Sequence, residues 1–100
     1  MDRVQKYMYR ATIEAEIRKA EVVDEPWEDK QGTVHENSYI LIKALDREDN
    51  SFYIKDKHLE NLDKYQRGTE GTFDIRIDVD EGYKGKTTIT LVDFKEDEDK

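Results

Sequence analysis

The chain has 100 residues, of which 42% are charged and 35% hydrophobic, and its formal net charge is -8. A chain of this length fits one domain. The absence of cysteine excludes disulfides, thiolate metal sites and a cysteine nucleophile. No apolar run approaches the ~20 residues of a membrane helix, and the first residues lack the apolar stretch of a signal peptide. We therefore expect a cytoplasmic protein that does not enter the membrane.

The first element along the chain is a run of alternating apolar and polar residues. Ala, Glu, Lys and Arg, which are frequent here, favour helix intrinsically. A helix, however, would place Ile13 and Ile17 on the side opposite Ala15. The period of two favours a strand of about 11 residues or more, which is long against a typical ~5–6. One face of this strand would carry Tyr7, Tyr9, Ala11, Ile13, Ala15 and Ile17.

Residues 18–38 show no clean period and predict a long loop. Pro26, Trp27 and Gly32 lie in it among many charged residues. A ragged continuation of the first strand at Val22–Val23 is the alternative for its beginning. Loops of this length in compact domains are usually functional or disordered.

Two strands follow, Tyr39–Leu45 and Phe52–Lys55, joined by a turn of polar residues. Their apolar positions agree when Ala44 lies opposite Phe52, and a one-residue slip would mix the two faces. In the same register Ile42 lies opposite Ile54. The side chains that this register turns to the outer face are Tyr39, Leu41, Lys43, Tyr53 and Lys55.

The next segment predicts a helix followed by a strand. Residues 57–67 carry Leu59 and Leu62 at helical spacing, and Gly68 supplies the C-cap. Thr72–Val79 shows the clearest alternation of the chain and predicts a strand.

The last predicted strand is Lys86–Phe94, which follows a glycine-containing turn. Its period of two places Leu91 on one face and Phe94 on the other. Residues 95–100 predict an acidic, disordered tail, so that the domain spans residues 1–94.

The order of elements, three strands, one short helix and two strands, resembles the OB-fold, a five-stranded Greek-key β-barrel. The helix between the third and fourth strands carries the resemblance, together with a long first strand shared by both halves of the barrel. The resemblance covers about residues 7–94. The expected fold class is therefore mainly β with one short helix, in an OB-like barrel. An SH3-like or another small β-barrel is an alternative with the same order of elements.

The resemblance also implies a function. OB-folds mostly bind single-stranded nucleic acid or oligosaccharide, on the face of strands 2 and 3 and with loops 1–2 and 4–5. Aromatic rings stack on bases, at ~1–3 kcal/mol each, and Lys and Arg side chains follow the phosphates. The acidic ending is similar in charge to the tails of small single-strand-binding proteins of bacteria and phages. We therefore expect a non-enzymatic single-stranded DNA-binding protein of the phage or mobile-element type. The implied DNA-binding residues are Arg10, Trp27, Tyr39, Lys43, Tyr53, Lys55, Tyr83, Lys84 and Lys86.

The same side chains also have a purely structural interpretation. Tyr39 and Tyr53 belong to a residue type that is common in strands. Trp27 would then cap the mouth of the barrel, and the lysines would be solvated charges.

The net charge favours other functions, because phosphate contacts dominate nucleic-acid affinity and typical nucleic-acid binders are basic. One alternative is a protein-interaction module that uses its acidic loop or tail on a basic partner, or that pairs with another chain or a second copy through a strand edge. Another is an acidic DNA mimic that inhibits a nucleic-acid enzyme.

The sequence predicts neither a catalytic site nor a metal or cofactor site. His35 and His58 have no second ligand at metal-binding spacing. A calcium loop beginning at Asp78 would need Glu at its twelfth position, which is Ile89. The chain also has no nucleophile elbow, phosphate-binding loop or dinucleotide fingerprint.

Overall fold

The structure is a computed structural model that describes residues 6–80 and 86–97. The described part is mainly β, as predicted, with seven strands and one 3-10 helix. The helix has six residues, against the ~20 of a membrane-crossing helix, and no other helix lies in this part. The elements are β1 (Lys6–Asp24), β2 (Trp27–Glu28), β3 (Val34–His35), β4 (Ser38–Asp46), β5 (Ser51–Asp56), the 3-10 helix (Leu59–Lys64), β6 (Glu70–Asp80) and β7 (Lys86–Glu96).

The five long strands close into a ring in the order β1-β4-β5-β7-β6, and β6 returns to β1. Neighbours in the ring are antiparallel except β5 and β7, which run parallel and meet at Lys55 and Thr90. The 19 residues of β1 close the ring, because residues 6–16 pair with β6 and residues 15–24 pair with β4.

One extra residue in β1, Arg18, changes which side chains face the core. Ile17 lies opposite Ala44 and Lys19 lies opposite Lys43, so that Arg18 has no counterpart in β4. Such a β-bulge bends the strand and shifts the alternation of its side chains by one. The core-facing residues of β1 are therefore odd-numbered before the bulge and even-numbered after it.

This bulge explains why the loop predicted over residues 18–38 is wrong in its first part. The strand continues to Asp24, as the alternative with a continuation through Val22–Val23 proposed. The rest of the segment also contains structure, because β2 pairs with β3 and places Trp27 opposite His35.

A second extra residue, Val92 in β7, has the same effect near the C-terminus. Leu91 and Asp93 lie opposite consecutive residues of β6, so that Val92 has no counterpart there. The ring of Phe94 therefore packs on that of Phe73, with 4.5 Å between the centroids. The prediction that Phe94 lies on the face opposite Leu91 is wrong for this reason.

The core fills the inside of the ring. The predicted register of β4 and β5 is confirmed, with Ala44 opposite Phe52 and Ile42 opposite Ile54. The largest fully buried side chains are Phe73, Ile17, Ile40, Ile42, Ile54 and Ile75.

The strand ends differ from the predicted bounds. β6 is longer than Thr72–Val79 by two residues at its start and one at its end. β7 continues to Glu96 and so includes the first two residues of the tail predicted over residues 95–100. Residues 98–100 and the turn at 81–85 lie outside the described residues.

The helix predicted over residues 57–67 is a shorter 3-10 helix, and the buried carboxylate of Asp56 accepts hydrogen bonds along it, the first from the His58 N–H at 3.0 Å. Asp56 is 2% exposed. Its Oδ2 accepts hydrogen bonds from the Tyr65 hydroxyl at 2.5 Å and from Asn61 Nδ2 at 3.1 Å. Burial, together with this bond to Asp56, raises the pKa of Tyr65, so that its hydroxyl stays a donor.

The C-terminal end of this helix also differs from the prediction. Tyr65 is the C-cap residue, and its N–H bonds to the carbonyl oxygen of Leu62. Gly68, the predicted cap, lies three residues later, where its φ of 90° suits a glycine.

Removing the Asp56 carboxylate is expected to destabilise the fold by about 2–4 kcal/mol, because the buried Tyr65 hydroxyl would lose its acceptor. Urea unfolding of Asp56→Ala measures this loss. Adding Tyr65→Phe to Asp56→Ala should then cost much less than Tyr65→Phe alone costs. An equal cost in both backgrounds would show that the two side chains do not stabilise each other.

Candidate nucleic-acid interface

The outer face of β4 and β5 carries the centre of the predicted interface. Tyr53 lies directly opposite Lys43, and Lys55 lies two residues further along β5. Opposite residues of an antiparallel pair share a face, as do residues i and i+2 of one strand. Tyr53 is 54% exposed. Its ring therefore offers an open aromatic surface next to two lysines.

Tyr39, in contrast, is 5% exposed and has no open ring face. Its hydroxyl donates a hydrogen bond to Glu25 Oε1 at 2.7 Å, which together with burial raises the pKa of Tyr39. Nζ of Lys55 lies 4.6 Å from the centroid of the Tyr39 ring, within the range of a cation–π contact. Tyr39 thus supports Lys55, and a base has no access to stack on it.

A row of further residues continues this face around the ring. Lys55 lies beside Thr90 of β7, Thr90 lies opposite Arg76 of β6, and Arg76 lies opposite Arg10 of β1. Three inter-strand steps of about 4.8 Å separate Lys55 from Arg10, or roughly 14 Å in total. The fold therefore turns Arg10 outward, as it does Lys43, Tyr53 and Lys55, at a position three strands further round the ring.

Two basic residues of this face, Arg76 and Lys19, were not among the predicted residues. The alternation of β6 in the sequence already places Arg76 on the outward side, so this residue could have been predicted. Lys19 lies opposite Lys43 only because the bulge at Arg18 shifts the alternation of β1. No sequence pattern marks that shift.

Carboxylates neutralise some of these cations and not others. Nε of Arg76 donates to Asp78 Oδ2 at 2.9 Å, and Nζ of Lys19 lies 3.5 Å from a carboxylate oxygen of Glu21. Within the described residues, no carboxylate forms an ion pair with Arg10, Lys43 or Lys55. These three cations are therefore open to an anionic ligand.

Trp27 lies on the short β2–β3 hairpin, where His35 supports its ring. The two rings stack with centroids 4.4 Å apart and an angle of 18° between their planes. Nε2 of His35 lies 2.8 Å from Asp29 Oδ2. The indole is nevertheless 54% exposed, so that the hairpin presents an aromatic ring with a defined orientation.

Of the last three predicted residues, only Lys86 lies in the part of the chain that the structure describes. Lys86 is exposed, lies opposite Asp80, and shares the outer face of β7 with Thr90. Tyr83 and Lys84 lie in residues 81–85, outside the described residues, and their roles stay predictions.

Comparisons with known proteins add no further information on this interface. No family model matches the chain, and no curated protein and no solved structure matches it. In residues 6–80 and 86–97, no group of three or more His, Asp or Glu side chains is placed to hold a metal ion.

Asp29 is expected to make the β2–β3 hairpin sensitive to acid. Its hydrogen bond with His35, followed by those from the N–H groups of Thr33 and Gln31, holds the pKa of Asp29 below its usual 3.8. A carboxylate whose pKa is lowered on folding stabilises the folded state above its unfolded pKa. That contribution is lost as the pH falls through the folded value. The fluorescence of Trp27, the one tryptophan of the chain, should therefore change below pH ~4.

The control for this titration is Asp29→Asn. This variant should alter Trp27 fluorescence already at pH 7 and should lack the acid step that belongs to Asp29. Circular dichroism over the same pH range separates a change in the hairpin from unfolding of the ring. Trp27 fluorescence that is identical in both proteins at every pH would contradict the assigned role.

Proposed function

We propose that the chain is a small, non-enzymatic single-stranded DNA-binding protein and that its ring is an OB-like barrel. The observation that supports this most is the outer face on which exposed Tyr53 lies beside Lys43 and Lys55. Arg10 also points outward, three strands further round the ring. Single-strand-binding surfaces combine such aromatic rings with cations that follow the backbone.

The topology supports the OB-like part of the proposal. The spatial order β6-β1-β4-β5 is that of a Greek key, in which the fourth long strand returns to lie beside the first. The helix lies between the third and fourth long strands. The long first strand is shared between two neighbours, as the resemblance implies.

In the proposed complex, one base stacks on Tyr53, and its flanking phosphates meet Lys43 and Lys55. Tyr39 acts as a positioning residue, because the Lys55 ammonium lies over its buried ring in a cation–π contact. Arg10, about three strands away, meets a phosphate further along the chain of nucleotides. Every base has a flat face, so this mode of binding tolerates different sequences.

The overall charge of -8 sets the expected salt dependence. Local contacts have to overcome a net repulsion, which weakens the attraction at long range. Exposed charges are screened within a Debye length of about 8 Å at physiological ionic strength. The affinity should therefore depend strongly on short-range contacts at the face.

An acidic pocket favours a second candidate function, a protein-interaction module for a basic partner. The pocket has a volume of about 300 Å³. Among the described residues, Arg47 is the one basic residue that lines it, and it lies 3.4 Å from a carboxylate oxygen of Glu14. Binding to a lysine-rich peptide without binding to DNA would favour this candidate. The carboxylates that line the pocket are Glu14, Glu16, Asp46, Asp49, Glu70 and Asp97.

Tyr53→Ala is expected to weaken binding to labelled oligo-dT by about 5- to 150-fold, because one base loses ~1–3 kcal/mol of stacking. Fluorescence anisotropy measures this loss. Tyr9→Ala is the matched control, since Tyr9 is 55% exposed but lies on the inner face of β1. Equal losses for the two variants, or no loss for Tyr53→Ala, would contradict the proposed face.

Lys43→Ala extends the same experiment to the phosphate contact. It should lower the slope of log K against log salt by about 0.7, which is the value for one phosphate contact on a single strand. Lys64→Ala, on the 3-10 helix, is the matched control and should leave the slope unchanged.

A further inference from the structure

The first nine described residues of β1 form the edge of a sheet. Residues 6–16 pair with β6, but pairing with β4 begins only at Ala15. No strand of the described part pairs with the second edge of residues 6–14. An edge strand presents a row of N–H and C=O groups that can pair with another chain.

This edge has few of the features that keep other chains away. It contains no proline and no glycine, and two large side chains are well exposed, Met8 at 57% and Tyr9 at 55%. Natural edges are commonly short, bulged or interrupted by proline. The bulge of β1 lies at Arg18, beyond the edge, so residues 6–14 are regular.

We propose that this edge pairs antiparallel with the same edge of a second copy of the chain. The charges are complementary in one register, centred on Arg10. Lys6 then lies opposite Glu14 of the second copy, and the two-fold axis generates this pair twice. Tyr9 lies opposite Ala11, and Met8 opposite Thr12. A C2 interface of this kind is self-complementary.

The proposed register uses the whole edge. Registers shifted by one residue place core-side positions opposite solvent-side positions, which mixes the two faces of the sheet. A register centred nearer the C-terminus would require Ala15 and Glu16 to pair with the second copy, but these two residues already pair with β4. Registers moved toward the N-terminus lose the pairing of Lys6 with Glu14.

Arg10 lies opposite its own copy at the two-fold axis, which opposes association. The cost is small, because both guanidinium groups are exposed and screened by salt. The dimer joins two three-stranded sheets, each made of β7, β6 and β1, into one sheet of six strands. It also places the Arg10 and Arg76 side chains of both copies in one continuous row on the outer face.

The first test is the oligomeric state of the full chain without DNA. Sedimentation equilibrium over a range of concentrations should show a monomer–dimer equilibrium. Lys6→Glu and Glu14→Lys should each weaken the dimer by about tenfold, because each replaces two attractive pairs with two repulsive ones. The double variant with both changes should return to the wild-type affinity.

The second test is the register. The chain has no cysteine, so Arg10→Cys introduces a single thiol next to its own copy, with Cα atoms about 4.5–5.5 Å apart. Mild oxidation should give a disulfide-linked dimer. Met8→Cys is the matched control on the same face of the same strand. In the proposed register its two copies are about 14 Å apart, which is too far for a disulfide.

Dimerisation, rescue by the charge swap and selective cross-linking at position 10 would support the proposal. A wild-type chain that sediments as a monomer at every concentration would overturn it. So would a dimer in which both cysteine variants, or neither, become cross-linked. None of these readouts involves DNA, so they are independent of the proposed function.

Discussion

The fold depends on one strand that pairs with two different neighbours. β1 binds β6 along residues 6–16 and β4 along residues 15–24, and this double pairing closes the ring. Without it, β4 and β5 would form one sheet and β6 and β7 another, joined only by the short parallel contact at Lys55 and Thr90. The inside of the closed ring buries isoleucines from β1, β4 and β5 against Phe73 of β6.

The two bulges then decide which side chains meet on the outer face and which enter the core. Arg18 shifts the alternation of β1, so that Lys19 comes to lie opposite Lys43. Val92 shifts β7, so that Phe94 turns inward onto Phe73. A single inserted residue therefore moves all later side chains of a strand by one face. The bulge thus adds Lys19 to the outer face, whereas Lys43 and Lys55 lie beside Tyr53 because of the regular register of β4 and β5.

The sequence predicted the elements that have a regular period and missed those that depend on distant contacts. The register of Ala44 with Phe52 follows from alternation alone and is correct. The bulge at Arg18 cannot be recognised from the sequence, because a strand whose alternation shifts by one residue has the same pattern as an irregular loop. Tyr39 occupies an outward position in the pattern, yet Glu25 and Lys55 cover it from the hairpin base and the neighbouring strand. This burial depends on contacts between distant parts of the chain, which the local pattern does not show.

The most direct measurement is the binding of the wild-type chain to DNA. Anisotropy of labelled oligo-dT and of a duplex of equal length would be followed at low and at moderate salt. The account predicts binding to the single strand that weakens as salt is raised, with much weaker binding to the duplex, whose bases are already stacked. Failure to bind oligo-dT at low salt, or equal binding to both DNAs, would contradict it.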